Sequence, residues 1–339
     1  MNGPRPLTRL VIPPGALLTA RRLNRILPPR VTIPLKVIVL VLLVLGLSSS
    51  CGSDTRPTPS PAPQRPAPSG GTETPPPPPP PDPPSEEVFV GAGDIGQCGV
   101  GGPLQTARLL DRIEGTVFTL GDHAYPHGTM DQYTECYEPA WGRHKARTRP
   151  SPGNHDRLPA EDSGYFAYFG AQAGPAGLGY YSYALGAWRI YSLNSNIILD
   201  GGTAQLAWLA NELKRNESPG GCQLAYFHLP VYSAGGRMGP HWKLLADAGV
   251  ELVLTAHEHW YQRLAPLDAS FNPHPRGIRQ IVAGTGGGTL HSYRVEDHSE
   301  VQIKAHGVLR LTLKTRSYDW EFVPVARDSP TDFGSGDCH

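Results

Sequence analysis

From Gly52 to Glu87 the chain is dominated by Pro, Ser, Thr and Gly and includes the unbroken run Pro75 to Pro81. Proline has no amide hydrogen to give a helix or a sheet, and it holds the backbone near the polyproline conformation. Such a stretch stays extended and buries nothing. Residues 51–87 are therefore read as a tether, with a Pro-rich recognition ligand as the alternative. Residues 88–339 remain for folding. That is about 250 residues, a size that one hydrophobic core serves without staples, so one domain is the simplest count.

Ahead of the tether, residues 1–36 carry Arg5, Arg9, Arg21, Arg22, Arg25, Arg30 and Lys36 and no acidic residue. Val37 to Leu47 is then almost pure Val, Leu and Ile. A basic segment followed by an apolar one is the layout of an export signal, and an apolar run this short falls below the roughly 20 residues of a membrane span. Ser48-Ser49-Ser50-Cys51 follows directly, which looks like a bacterial lipoprotein cleavage and acylation site. Residues 1–50 are read as an export or lipoprotein signal that leaves the body lipid-anchored at Cys51 in the cell envelope. An ordinary secretory signal with an incidental Cys51 is the alternative. A lipidated cysteine ahead of the proline run makes a spacer the better reading of that run.

Lys plus Arg and Asp plus Glu number 30 each, so the chain lacks the basic field that a nucleic-acid duplex would need. Four cysteines remain in the body: Cys98, Cys136, Cys222 and Cys338. An even number in an exported body points to two disulfides, with three possible pairings. None of the four forms the close C-x-x-C pair that structural zinc prefers. All 13 histidines lie beyond residue 122, which directs attention to metal or acid–base chemistry.

The body reads as short apolar, β-rich runs that end in polar clusters: Val88–Ala92, Thr116–Leu120, Leu224–Phe227, Val250–Thr255 and Gln280–Ala283. Helix-like stretches lie between several of them, at Leu104–Ile113, Thr203–Leu213 and His241–Ala248. Alternation of this kind predicts an α/β fold. Gly179–Tyr183, Trp188–Leu193, Val308–Lys314 and Tyr318–Val323 add hairpin-like strands, so mixed sheets are expected, with Tyr181 and Tyr183 on one face.

Ligands of open α/β sheets collect beyond the carboxyl ends of strands, and the polar clusters fall there. They are Gly93-Asp94-Ile95-Gly96, Gly121-Asp122-His123-Ala124-Tyr125, Gly153-Asn154-His155-Asp156, His228, and Ala256-His257-Glu258-His259. Singly, each has an ordinary explanation as a turn residue, a helix cap or a hydrogen-bonded core histidine. Together they supply oxygen and imidazole donors with no thiolate, a set that suits iron, zinc or manganese.

These motifs, in this order and spread from Asp94 to His259, resemble the calcineurin-like metallophosphoesterases, and within them the purple acid phosphatase pattern GDxG, GDxxY, GNH[DE], strand-ending His and GHxH. The resemblance implies a four-layer α/β/β/α sandwich of two mixed sheets, with residues 88–339 as the catalytic domain. It implies that Asp94, Tyr125 and His259 hold Fe³⁺, that Asn154, His228 and His257 hold Fe²⁺, Zn²⁺ or Mn²⁺, and that Asp122 bridges. Phenolate and carboxylate are hard donors that favour the ferric state, whereas amide and imidazole suit the divalent ion. The implied activity is hydrolysis of phosphate monoesters on small substrates by a hydroxide that the two ions activate, with His155 as the acid, positioned by Asp156.

Two positions depart from the pattern. Ala256 stands where the family has Gly, and Arg237 stands about where many relatives have a further histidine. Arg237 is a candidate for binding substrate phosphate through its planar fork, with a solvated surface arginine as the alternative. Asn194, Ser195 and Asn196 are read as a turn, and Gly284 to Gly288 as a tight loop near the site, because no Lys-Ser/Thr follows as a P-loop requires. His123, His127, His144, His241 and His291 are read mostly as surface or core histidines, with support behind the ligands as the alternative. The same two ions serve phosphodiester or nucleotide hydrolysis as readily. A non-catalytic envelope scaffold is the rival of another class, and burying so many carboxylates and imidazoles without a metal argues against it.

Overall fold

The structure is a computed structural model that describes residues 86–156, 163–196, 202–217, 221–231, 238–292 and 297–339. The signal, Cys51, most of the tether and Arg237 lie outside the described residues. In chain order the elements are β1 (Glu86–Ala92), α1 (Gly102–Leu110), β2 (Thr116–Leu120), α2 (Met130–Gln132), β3 (Thr148–Ser151), α3 (Gly164–Phe169), β4 (Tyr181–Leu185), β5 (Trp188–Ser192), α4 (Thr203–Arg215), β6 (Gln223–Tyr226), α5 (Gly239–Asp247), β7 (Leu252–Thr255), β8 (Tyr261–Leu264), β9 (Arg279–Ala283), β10 (Ser299–Ile303), β11 (Gly307–Lys314), β12 (Ser317–Pro324) and β13 (Phe333–Asp337). A π-helical turn, Tyr133–Tyr137, follows α2 directly.

The strands form two mixed sheets, ordered β13-β12-β11-β1-β2-β3 and β10-β8-β9-β7-β6-β5-β4. In the first, β1, β2 and β3 are parallel, and β11 closes against β1 in antiparallel register. In the second, β5, β6, β7 and β9 are parallel. The sheets face each other across one apolar core, to which Phe89, Phe118 and Leu311 contribute from one side and Tyr226, Leu254 and Ile281 from the other. A second core lies between the first sheet and α1, the π-helical turn and α3; a third lies between the second sheet and α4 and α5. Three cores separate four layers, so the α/β/β/α sandwich of two mixed sheets is the observed fold.

Local sequence explains most elements. β11 and β12 alternate buried and half-exposed side chains, the period of a strand with one wet face. Tyr181 and Tyr183 do share a face of β4, their rings stacked 5.9 Å apart. β1 begins at Glu86, two residues earlier than its apolar content indicates, because Glu86 and Glu87 pair with Lys314 and Leu313 of β11. β3 escapes a sequence reading because Thr-Arg-Pro-Ser carries a proline; it is tolerated at a sheet edge, where the missing amide hydrogen costs no ladder bond.

The four body cysteines pair as Cys98–Cys136 and Cys222–Cys338. The second bond fastens the last residues beside Glu251, whose carboxylate accepts the amide hydrogens of Gln223 at 2.7 Å and His339 at 3.2 Å. Glu251 is buried, and burial pushes its carboxyl up to about 7. The folded chain therefore holds a proton that the unfolded chain releases near pH 4.5, so this group favours folding at low pH and loses that contribution as pH rises through 7. Buried His241, depressed to about 4 by desolvation, works in the opposite sense as pH falls below 6.5. The difference between Glu251→Gln and wild type isolates the first effect. Measured by chemical denaturation from pH 4.5 to 7.5, wild type is expected to lose about 3 kcal/mol relative to the variant as pH rises.

Candidate metal centre

Three residues at strand ends adopt left-handed backbone: Asp94 (φ 57°), Asp122 (φ 53°) and His257 (φ 69°). Each reverses the chain just past a strand, and Asp is among the few non-glycine residues that enter this region readily. The turns bring neighbouring loops within hydrogen-bonding reach. Asp94 Oδ2 accepts the amide hydrogen of His257 at 2.8 Å, and Asp122 Oδ1 accepts that of His155 at 2.8 Å. Each carboxylate thus spends one oxygen on the next loop and turns the other toward a common pit.

The seven residues expected as ligands meet in that pit. On one side the Tyr125 hydroxyl lies 2.7 Å from Asp94 Oδ1 and 3.1 Å from His259 Nε2, with Asp94 and His259 3.2 Å apart. On the other side His228 Nε2 lies 2.9 Å from Asn154 Oδ1 and 3.2 Å from His257 Nδ1. Asp122 Oδ2 sits between the two groups, 3.2 Å from the Tyr125 hydroxyl and 3.3 Å from His228 Nε2. The ligating atoms of Asp122, His228 and His257 all lie within 4.8 Å of one another.

The backbone sets which imidazole nitrogen faces the pit. His228 Nδ1 donates to the Leu120 carbonyl at 2.7 Å, and His259 Nδ1 donates to the Thr289 carbonyl at 2.6 Å. That leaves the Nε2 lone pair of each aimed inward, the outer-sphere arrangement that orients metal-binding histidine. With Nε2 unprotonated, the His228 lone pair faces the oxygens of Asn154 and Asp122, so acceptors converge and only a proton or another cation can join them. Such a hole calls for a cation, and the donor set accordingly fits metal ions. The electrostatics agree: burial works against charge on His228 and His259, yet Asp122 and Asp94 beside the first, and Asp94 beside the second, raise each to about 9. Burial, reinforced by Asp94 and Asp122, drives the Tyr125 phenol far above its usual value, and only a strongly charged cation would bring it down.

One expectation requires correction. Asp156 does not touch the His155 ring. Its carboxylate accepts from the Gly153 amide at 2.9 Å, the Tyr133 hydroxyl at 2.8 Å and His123 Nδ1 at 2.8 Å, and His123 passes on to Thr119 Oγ1 at 2.6 Å. The two side chains of adjacent residues point apart, Asp156 inward and His155 outward. The His155 ring, 38% exposed, is held instead by Nδ1 donating to the Pro126 carbonyl at 2.6 Å, with Nε2 3.9 Å from Asp122 Oδ2. His123 is thus a buried brace between the second and third motifs. Its position beside Asp122 was the only sequence signal for this role, and the same spacing suits an ordinary core histidine.

The remaining motifs also find places. The methyl of Ala256 packs beside Gly93, where a side chain on residue 93 would collide with it, so the departure from the family pattern is absorbed. In the Gly284–Gly288 loop, amide hydrogens of Gly284, Gly286 and Gly288 go to the carbonyls of Trp260, Gly93 and Asp94, which leaves them unavailable to a phosphate. Ser195 Oγ accepts the Leu229 amide hydrogen, and Asn196 Nδ2 donates to the Gly153 carbonyl at 2.7 Å, so this turn supports two of the ligand loops.

A match to the calcineurin-like phosphoesterase family over residues 88–261 accounts for this arrangement, and the chain belongs to that family. Acid phosphatase type 7 of Mus musculus is 28% identical over 269 residues, covering 64% of this chain and 60% of the mouse protein. The chain therefore spans about three-fifths of that relative's length. Among solved structures, purple acid phosphatase PPD1 from yellow lupin superposes with a TM-score of 0.58 at 19% identity, over 75% of this chain and 54% of that one. GAP50, the anchor in the inner membrane complex of Plasmodium, gives 0.60 at 14% identity, over 75% and 90%. These likenesses show the fold.

The brace makes a quantitative prediction. Asp156→Asn leaves buried donors facing an amide group and is expected to cost about 3 kcal/mol, lowering the melting temperature by roughly 6–12 °C. His155→Ala, on an exposed ring, should cost under about 1 kcal/mol. Equal melting temperatures for the two variants would remove the brace.

Proposed function

We propose that this chain hydrolyses phosphate monoesters of small molecules with two metal ions held in the pit. The observation that carries the reading is Asp122 Oδ2 lying between two donor groups of different hardness. Asp94, Tyr125 and His259 would hold Fe³⁺; Asn154, His228 and His257 would hold Fe²⁺, Zn²⁺ or Mn²⁺. Bound there, the ions supply positive charge that acidifies a water and neutralises phosphate oxygens. The protein's own contribution is orientation and proton supply. His228 and His259 keep their lone pairs inward because Leu120 and Thr289 occupy their other nitrogens. His155, with Nδ1–H fixed on Pro126, presents Nε2 at the rim; in the imidazolium form Nε2 carries the second proton, which passes to the departing alkoxide and leaves the neutral ring with its Nδ1–H on Pro126. In this reading Arg237 contributes to phosphate binding.

The body would work outside the cytoplasm, tethered through lipid on Cys51, and the two disulfides support an oxidising compartment. Among the described residues no helix is long and apolar enough to cross a membrane.

Release of a chromogenic alcohol from an activated phosphate monoester tests the reading, with iron and zinc loaded identically into each variant. Wild type should turn over and lose activity on chelation. Asp122→Asn should lose at least about 100-fold, and His155→Ala should lose about 10²- to 10⁴-fold in kcat. Folded, metal-loaded wild type without turnover would sink the monoesterase reading.

A further inference from the structure

Four rings touch one another in sequence beside the pit. His155 lies 4.7 Å from Tyr125, Tyr125 lies 5.9 Å from His259, and His259 lies 4.0 Å from His291, the last two parallel within 4°. The inner pair, Tyr125 and His259, place their polar atoms in the pit. At one end of this ring sequence stands His155, with Nε2 open. At the other stands His291, which is exposed and makes no ring hydrogen bond to any described residue.

The segment carrying His291 is firmly held. The Thr289 amide and hydroxyl both donate to Gln97 Oε1, at 2.9 and 3.0 Å, and the Thr289 carbonyl takes His259 Nδ1. His306 Nε2 contacts the Gly288 carbonyl at 2.9 Å, and the His291 amide donates to the His259 carbonyl at 3.2 Å. An imidazole whose two nitrogens bond no described residue is thus fixed one ring-stack from a residue of the donor cluster. A solvated imidazole on a mobile loop would show none of these attachments.

We infer that His291 is a substrate-binding residue, which donates a ring N–H to a phosphoryl oxygen of the ester from beside His259, at the other end of this ring sequence from His155. The inference rests on the phosphatase reading and deepens it. It supplies a second imidazole donor at the rim, in a chain whose loop after His228 contains no histidine among Leu229 to Met238. A donor that reaches the ester's phosphoryl group in both the ground and transition states changes affinity more than turnover.

His291→Phe separates the ring nitrogens from the stack, since phenylalanine keeps a planar ring against His259. Binding of inorganic phosphate to the metal-loaded protein by calorimetry, metal content, and KM with kcat are measured together. Phosphate affinity should fall about fivefold in His291→Phe, the loss of one hydrogen bond to a charged group at an exposed site. KM should rise more than kcat falls, metal content should stay at the wild-type level, and His291→Asn should recover part of the affinity. Unchanged phosphate affinity in His291→Phe overturns the inference. So does lost metal content, which would make His291 a support for His259. Metal-loaded wild type that neither binds phosphate nor turns over the ester would fail the phosphatase reading itself, a result distinct from a change confined to the variant.

Discussion

Each site carboxylate divides its two oxygens between backbone and pit, and the arrangement of the centre depends on that division. Asp94 and Asp122 each accept one amide hydrogen from a neighbouring loop, and each turns its second oxygen inward. Charge-assisted hydrogen bonds of this kind are short and directional. They couple loop position to ligand position, so that neither loop can drift without disturbing the donors. Asp156 completes the scheme from below, taking the Gly153 amide and the His123 ring while the residue before it faces out.

That coupling is possible because the loops leave rigid strands at close quarters. Asp94, Asp122 and His257 follow β1, β2 and β7, which are buried along most of their length. The left-handed turns at these residues cost energy that the packed sheets must offset, a common price at functional sites. Close approach imposes its own residue choice. A side chain on Gly153 would run into Asp122, so the third motif needs its glycine for the two loops to touch at all.

Without metal ions the centre must balance its carboxylates with protons. Burial alone would empty His228 and His259 of protons and fill Asp94, but the carboxylates beside the imidazoles overcome it and the pairs ionise together. Protons and metal ions compete for the same lone pairs. Acidification should therefore weaken metal retention, while the peptide carbonyls of Leu120 and Thr289, which do not titrate, keep the ring orientations.

The amino-acid sequence by itself determined the class of fold and singled out the residues that meet in the pit. Strand ends carrying Asp94, Asp122, His228 and His257 with His259 were legible because apolar runs stop abruptly at polar residues, and that pattern is local; Asn154 was legible only through its Gly-Asn-His-Asp cluster. The even cysteine count was legible, and the pairing was not, because sulfur atoms 38 and 116 residues apart meet only in the folded chain. β3 and β8 were hidden by a proline and by their brevity. Only the tertiary structure decided that Asp156 braces His123 while the Pro126 carbonyl orients His155, and that His291 stacks on His259. Those relations join backbone carbonyls and side chains from different loops. A carbonyl leaves no trace in residue identity, and which of two adjacent side chains turns inward depends on the direction of a turn that packing between the sheets sets.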